Sequence, residues 1–373
     1  MRQTFAEVSL PKLINNYLKI RNLVKPSKIM AIVKADAYGH GAVKIAETLR
    51  DTAEGGPEYY GVSILAEAIE LRENGIDRPI LLLEPIDESL LHDAKKYDVT
   101  VSVNSLEQIQ LLKTFQSDRA LSGLKIHIKI DTGMNRLGIR WDECFPALFD
   151  LLECSNYLFE GIYTHFAKAD EKDLGFSRIQ LKRFTEILEV IDKKGFSFSE
   201  IHAANSSATL QIPESYFTMV RPGLSLYGYY PSQEIEKVLD LEPILCIYTK
   251  IELVKKILKG EGTSYGLTHL AETDKLISTL PIGYADGYDR MLSNKARVII
   301  ANKEYSQIGA VTMDRIIIDL NNIVPQKNEK VILLGSSVDC KFDAWDWAKI
   351  CNGVPYTVLC TLSKRLPRIY VEN

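Results

Sequence analysis

Between about residue 28 and residue 228, short apolar runs alternate with longer stretches of helical periodicity. Residues 29–33, 59–64, 80–83, 100–103, 125–130, 159–165, 200–204 and 217–220 read as strands. The stretches 41–50, 65–74, 89–97, 105–115, 144–152, 178–194 and 206–210 read as helices, with Gly75 and Gly195 as stops. A helix over residues 12–23 precedes the first of these strands. Strand–helix units repeated eight times in about 200 residues predict a (β/α)8 barrel, a TIM barrel, rather than an open doubly wound sheet. Beyond Asp240 the pattern changes. Apolar segments 244–253, 275–280, 297–300, 305–311, 315–320 and 330–334 follow one another with glycine, asparagine and aspartate turns between them. This predicts a mainly antiparallel β domain. The expected organisation is a barrel over residues 10–238 and a C-terminal β domain over 239–373, with residues 1–9 adding a strand to it.

Charge and cysteine usage narrow the function classes. The 45 Lys+Arg against 49 Asp+Glu give a net charge of −4 with no basic block, so neither nucleic acid nor an anionic membrane surface is an expected partner. No apolar run approaches the ~18–20 residues of a membrane span, and the N-terminus carries no apolar core of a secretion signal. A cytoplasmic enzyme is expected. The 6 cysteines are irregularly spaced without a CxxC pair, and the 6 histidines show no HExxH spacing. Reduced thiols and no metal site are the expectation.

Candidate chemistry begins at Lys34, in Val33-Lys34-Ala35-Asp36-Ala37-Tyr38-Gly39-His40-Gly41. Barrels place catalytic groups where strands end, and Lys34 ends one. A buried lysine loses proton affinity, and its neutral amine can form a Schiff base. By itself Lys34 is equally a lysine snorkelling from a strand end. In Lys125-Ile126-His127-Ile128-Lys129-Ile130-Asp131, alternation puts His127, Lys129 and Asp131 on one face. In a barrel that polar face lines the interior. Arg136 follows directly, and a structural salt network is the competing reading. Asn205-Ser206 closes the seventh strand and Arg221-Pro222-Gly223-Leu224 the eighth, where this fold usually binds phosphate. Tyrosines near turns at 265, 284 and 356, taken singly, read more often as packing than as catalysis.

Together, segments 33–41, 129–138, 163–170, 205–206, 220–228, 264–268, 281–290, 310–314 and 353–368 resemble the signatures of the alanine racemases, in the same order and nearly end to end. The resemblance implies pyridoxal 5'-phosphate as cofactor, L- and D-alanine as substrates, D-alanine supply for peptidoglycan, and a homodimer with shared active sites. It assigns Lys34 as the covalent anchor. Tyr38, Ser206, Gly223, Leu224 and Tyr356 would hold the phosphate, with Asn205 and His165 also in the cofactor site. Arg221 would face the pyridine nitrogen. Arg136 would bond the phenolate oxygen and approach the substrate carboxylate, which the Met313 amide also binds. Lys129 matches a position often carbamylated in the family. Tyr284, Asp170 and Arg290 would line the access corridor.

Tyr265 would be the second base. Racemisation removes a proton from one face of the α-carbon and returns it on the other, so Lys34 and Tyr265 divide the faces. His165, charged or linked to Arg221, would lower the Tyr265 pKa. Thr312 and Arg315 replace the serine and glutamine common in the family, and Arg315 would add charge near the substrate entrance. Within enzymes, a related decarboxylase or broad-specificity racemase is the alternative; outside them, a non-catalytic cofactor-binding barrel. A positioned Tyr265 favours racemisation over decarboxylation, because decarboxylation needs no proton returned on the opposite face.

Overall fold

Eight parallel strands close on themselves in the computed structural model, which describes residues 3–326 and 329–372. Residues 1, 2, 327, 328 and 373, which fall within the expected strand segment 1–9 and the expected domain 239–373, lie outside the described residues. The barrel strands are β1 (Lys28–Ile32), β2 (Tyr59–Val62), β3 (Ile80–Pro85), β4 (Val99–Val103), β5 (Leu124–Asp131), β6 (Tyr157–Tyr163), β7 (Glu200–His202) and β8 (Met219–Val220). Each pairs with its sequence neighbour in parallel, and β8 returns to β1 through Met219 opposite Lys28. Every barrel strand agrees with the predicted one to within a few residues.

Alternation on β5 explains how the barrel can be both packed and polar inside. Ile126, Ile128 and Ile130 are fully buried on one face, while His127, Lys129 and Asp131 are buried on the other. The predicted helix 89–97 is instead a 3₁₀ turn, Glu88–Leu90, leading into a helix, Leu91–Lys96; Asp87 caps the turn by accepting from Ser89 N.

The chain separates into two compact units. One holds Leu13–Ala37 and Ala42–Glu242; the other holds the N-terminal residues to Lys12, Tyr38–Gly41 and the chain from Pro243. In the second unit the sheet order is Leu253–Ile257, Lys275–Leu280, Ile316–Asp319, Lys303–Ile308, Arg297–Ile300, Lys330–Ser336, Leu245–Lys250, Phe5–Ser9 and Arg368–Val371. All these pairings are antiparallel except the last, between Phe5–Ser9 and Arg368–Val371.

Sequence reasoning differs here in three places. The run 244–253 splits into Leu245–Lys250 and Leu253–Ile257, which take different partners. The final strand Arg368–Val371 was not predicted. Two helices, Ala344–Ile350 and Pro355–Cys360, were also missed although their start signals were present. Asp343 accepts from Trp345 N and Asp346 N while Asp346 accepts from Asp343 N, a reciprocal cap, and Pro355 stands at the first helical position.

Candidate active site

The barrel unit gathers its charged and polar groups at the C-terminal ends of β1 and β5–β8. Lys34 follows β1 and is half-buried rather than buried. Beyond it, Ala35, Asp36, Ala37 and Tyr38 all have φ between 52 and 54°, a left-handed turn of four non-glycine residues. Each such residue costs roughly 1–2 kcal/mol, so surrounding contacts must hold the turn. Ala37 N donates to Val33 O at 2.8 Å, Ala35 N to Glu67 Oε1 at 2.6 Å, and Ala42 N to Asp36 Oδ1 at 2.8 Å.

Arg221, just after β8, is 3% exposed. Burial lowers its pKa to about 10, which leaves it charged at neutral pH. Its Nη2 donates to Thr164 O at 2.9 Å, Ala203 O at 3.2 Å and His165 Nδ1 at 3.1 Å, and its Nη1 donates to His202 Nδ1 at 2.9 Å. Its guanidinium also lies 5.3 Å from the centre of the Tyr163 ring. His165 is held well below the ordinary histidine pKa, first by burial and then by Arg221, Lys129, Arg136 and Lys34. Because Arg221 can only donate, His165 Nδ1 must present a lone pair, so the linkage to Arg221 rather than a doubly protonated ring is what the structure contains.

Lys129, at the end of β5, is lowered to about 7 by burial, then by repulsion from Arg136, Arg221 and Lys34, with Asp131 opposing. Its ammonium nitrogen sits 5.6 Å from the Tyr163 ring centre. Asp131 turns its carboxylate to the loop backbone, accepting from Gly133 N at 2.9 Å and Asn135 N at 3.1 Å. This fold of the loop carries Arg136 at its exposed tip.

At β7 and β8, Asn205 caps the helix Ser206–Gln211 by accepting from Ala208 N at 3.0 Å, which sets Ser206 at the helix start. Ser206 Oγ accepts from Gly223 N at 2.8 Å and Ser225 N at 3.4 Å, and receives the Ser225 hydroxyl at 3.2 Å. Leu224, fully buried, opens the 3₁₀ turn that follows. Asp170 is exposed.

Lys129 lies within electrostatic reach of Arg136, Arg221 and Lys34, and the Gly223 and Ser225 donors converge on the Ser206 hydroxyl, a setting that suits an anion. A phosphate with a phenolate oxygen fits that donor set: Ser206, Gly223 and Ser225 suit the phosphate, Arg221 and Arg136 the ring. Lys34, half-buried just beyond β1, is a primary amine that could form a covalent link to such a group.

The second unit carries the remaining candidates. Tyr38 and Tyr356 have ring centres 5.7 Å apart, and Tyr38 is buried with its pKa pushed up by burial and then by Tyr356. The segment is pinned by Arg368, which donates to Gly39 O at 2.9 Å, and by Tyr370, which donates to His40 O at 3.1 Å.

Tyr265 is 76% exposed. Before it, Ser264 has φ 61 and ψ −171, a conformation essentially reserved for glycine, and its hydroxyl donates to Ala310 O at 2.6 Å. Leu267 also has a positive φ, 46°, so strained non-glycine backbone lies on both sides of Tyr265. Met313 and Tyr284 occupy two joined loops: Tyr284 N donates to Thr312 O at 3.0 Å and Ala285 N to Met313 O at 3.1 Å. A side chain at Gly283 would place its Cβ 2.3 Å from Met313 O, so only glycine permits that approach. Arg315 is paired with Glu252 at 2.7 Å, so the charge expected near the substrate entrance is compensated. Arg290 is exposed at the start of a 3₁₀ turn.

Sequence reasoning missed Tyr163, His202 and Ser225. Tyr163 stacks on His202 with ring centres 4.7 Å apart at 9°. Strand alternation from Gly161 to Tyr163, and the Leu-Ser-Leu-Tyr turn after Gly223, were the signals available.

The chain is similar to known proteins along nearly its whole length. A family model described as the alanine racemase N-terminal domain matches residues 8–231, and one described as the C-terminal domain matches residues 244–370. The chain belongs to the alanine racemase family. It is an amino-acid racemase. Among curated relatives, alanine racemase 1 of Clostridium acetobutylicum is 39% identical over all of this chain and 96% of its own, and the Carboxydothermus hydrogenoformans alanine racemase is 38% identical over all of both. Among solved structures, the Clostridium difficile alanine racemase matches with a TM-score of 0.93 at 35% identity, over all of this chain and 96% of its own. The Bacillus anthracis enzyme, solved with bound L-Ala-P, matches with a TM-score of 0.92 at 35% identity, over all of this chain and 96% of its own.

Proposed function

We propose that this racemase interconverts L- and D-alanine with pyridoxal 5'-phosphate, using Lys34 and Tyr265 as bases on opposite faces of the substrate. The observation that carries the cofactor is the cluster of Lys34, Lys129, Arg136 and Arg221: burial first, and then repulsion among these cations, lowers the proton affinity of Lys129 and His165. An anionic cofactor relieves that repulsion. When bound, pyridoxal phosphate supplies the electron sink that makes the α-proton removable.

The chain's own groups do the rest. Lys34 anchors covalently and moves the proton on one face. Arg221 can only donate hydrogen bonds, so it favours an unprotonated pyridine nitrogen. His165 accepts from Arg221 through Nδ1, so a neutral ring carries its proton on Nε2. That N–H would be the donor offered to the Tyr265 hydroxyl oxygen. A neutral Lys129 amine is the form that adds carbon dioxide, and the resulting carbamate anion would sit among three cations and steady Arg136. Met313 N–H and Arg136 would hold the substrate carboxylate, while Tyr284, Asp170 and Arg290 line its approach.

Tyr265, Leu267, Leu270, Met291 and Met313 are between 47% and 76% exposed, an apolar surface of the second unit. This supports a homodimer in which that surface meets the barrel of the other subunit and completes its site. The 6 free cysteines suit the cytoplasm. Among the described residues no helix is long and apolar enough to cross a membrane. D-alanine for peptidoglycan is the proposed output; one structural relative is described as the biosynthetic alanine racemase of Pseudomonas aeruginosa.

The test is incubation with L-alanine, D-alanine, L-serine and L-lysine, with and without added pyridoxal phosphate, followed by chiral analysis. Cofactor-dependent interconversion of the alanines is expected. Carbon dioxide release without D-alanine would refute the assignment.

A further inference from the structure

The barrel interior below Arg221 contains two histidines that the reaction does not touch. His202 on β7 accepts from Arg221 through Nδ1 at 2.9 Å, and its Nε2 lies 2.9 Å from Nδ1 of His127 on β5. Both residues are fully buried. The proton positions follow from donor chemistry alone. A guanidinium has no acceptor, so His202 Nδ1 must present a lone pair. Burial and the Arg221 charge keep both imidazoles neutral. The single proton of His202 is then on Nε2, and His127 Nδ1 must accept it. His127 in turn carries its proton on Nε2, which has no protein partner among the described residues.

The surroundings are shaped around this arrangement. A Cβ at Gly161 would fall 2.5 Å from His127 Nδ1, so the ring lies against bare backbone of β6. Two residues along, Tyr163 covers His202, and Ser102 lies 2.9 Å from the Tyr163 hydroxyl. Tyr59 flanks His127 with ring centres 5.8 Å apart. One strand thus leaves room for one imidazole and stacks on the other.

We propose that His127 is a positioning residue: by accepting from His202 Nε2–H it locks the His202 tautomer that holds Arg221 in place. Its catalytic relevance rests on the assignment of Arg221 to the cofactor ring above. Without the acceptor, His202 can place its proton on Nδ1, where it opposes an Arg221 N–H, or leave a buried N–H unpaired. Either displaces the guanidinium or weakens its hold.

The experiment is ¹⁵N NMR of the histidines in cofactor-loaded wild type, His127→Leu and His127→Asn, together with kcat and KM. Asparagine keeps an acceptor near the Nδ1 position; leucine fills the space without one. Expected are a single Nε2–H tautomer at His202 in wild type, a mixed or reversed tautomer in His127→Leu with kcat lowered about 10–100-fold, in the manner of other outer-layer positioning groups, and recovery of most of both in His127→Asn. A wild-type His202 protonated on Nδ1 overturns the proposal, even if the leucine variant fails to fold. So does a leucine variant that keeps the tautomer, or one that matches the asparagine variant in both readouts. The tautomer reading does not involve substrate. A His127-dependent tautomer in a protein that leaves alanine untouched would therefore count against the proposed function and not against the lock.

Discussion

The two units hold their chemistry in opposite ways. In the barrel unit, Lys129, Arg221, His127 and His202 are buried, and the hydrogen bonds of Arg221, His127 and His202 run to one another or to strand ends. In the other unit, Tyr265 is 76% exposed, Met313 52% and Tyr284 45%. Buried polar groups must be satisfied within the fold, so the barrel's half of the chemistry is preorganised by the chain that carries it. Exposed groups on strained turns have their backbone aim fixed while their partners remain outside. The barrel builds a site; the second unit presents one.

The strongest test of that contrast removes one group from each unit. Lys34→Ala should lower racemisation by about 10⁴-fold or more and abolish the absorbance of the lysine-bound cofactor, since it deletes both anchor and base. Retention of either signal would undo its assignment. Tyr265→Phe should cost about 10²–10⁴-fold while the cofactor stays bound, because only proton transfer on one face is lost. If the exposed groups complete a neighbouring subunit's barrel, dissociating and remixing these two inactive variants restores one intact site in each heterodimer. Random pairing then returns about a quarter of wild-type activity, and no recovery on remixing would place each whole site within one chain.

A smaller effect sharpens the electrostatics of the barrel side. Lys129 is lowered to about 7, so its amine is mostly protonated at pH 6 and mostly neutral at pH 8. Carbamate formation needs the neutral amine. A carbamate resonance from ¹³C-bicarbonate should therefore grow as pH rises through 7, and be absent in Lys129→Gln. A signal independent of pH between 6 and 8 would contradict the crowding of cations around Lys129. The smallest effect concerns the packing beneath. Gly161→Ala drives a methyl to 2.5 Å from His127 Nδ1, and overpacking of this kind costs about 1–3 kcal/mol. Thermal unfolding should show a lowered Tm, whereas glycine replacement at the exposed Gly260, which has open space but φ +86, should disturb only local backbone.

Much of the barrel was legible because its cause is local. Strand and helix periods alternate, and the candidate residues Lys34, Lys129, Ser206 and Arg221 were read at or just beyond the ends of four of those strands. The polar face of β5 also followed from alternation. Tyr163, His202 and Ser225 were not seen, because their importance comes from neighbours on other strands; Ser225 matters only once Ser206 lies 3.2 Å away. The helix at Ala344–Ile350 was missed for another reason: its reciprocal cap is a two-aspartate variant in a region dominated by strand signals.

By itself the sequence determined the fold class, the family signatures and the chemical identity of the candidate groups, since periodicity and residue type are properties of the chain. Tertiary structure alone decided protonation and exposure. His165 is neutral because burial and four cations leave no room for a fifth charge. Lys129 loses its proton easily for the same reason. Arg221 points where it does because a second imidazole, 75 residues before His202 in the chain, accepts the proton that keeps His202 facing it. Such effects depend on distances between strands, and no local pattern encodes a distance.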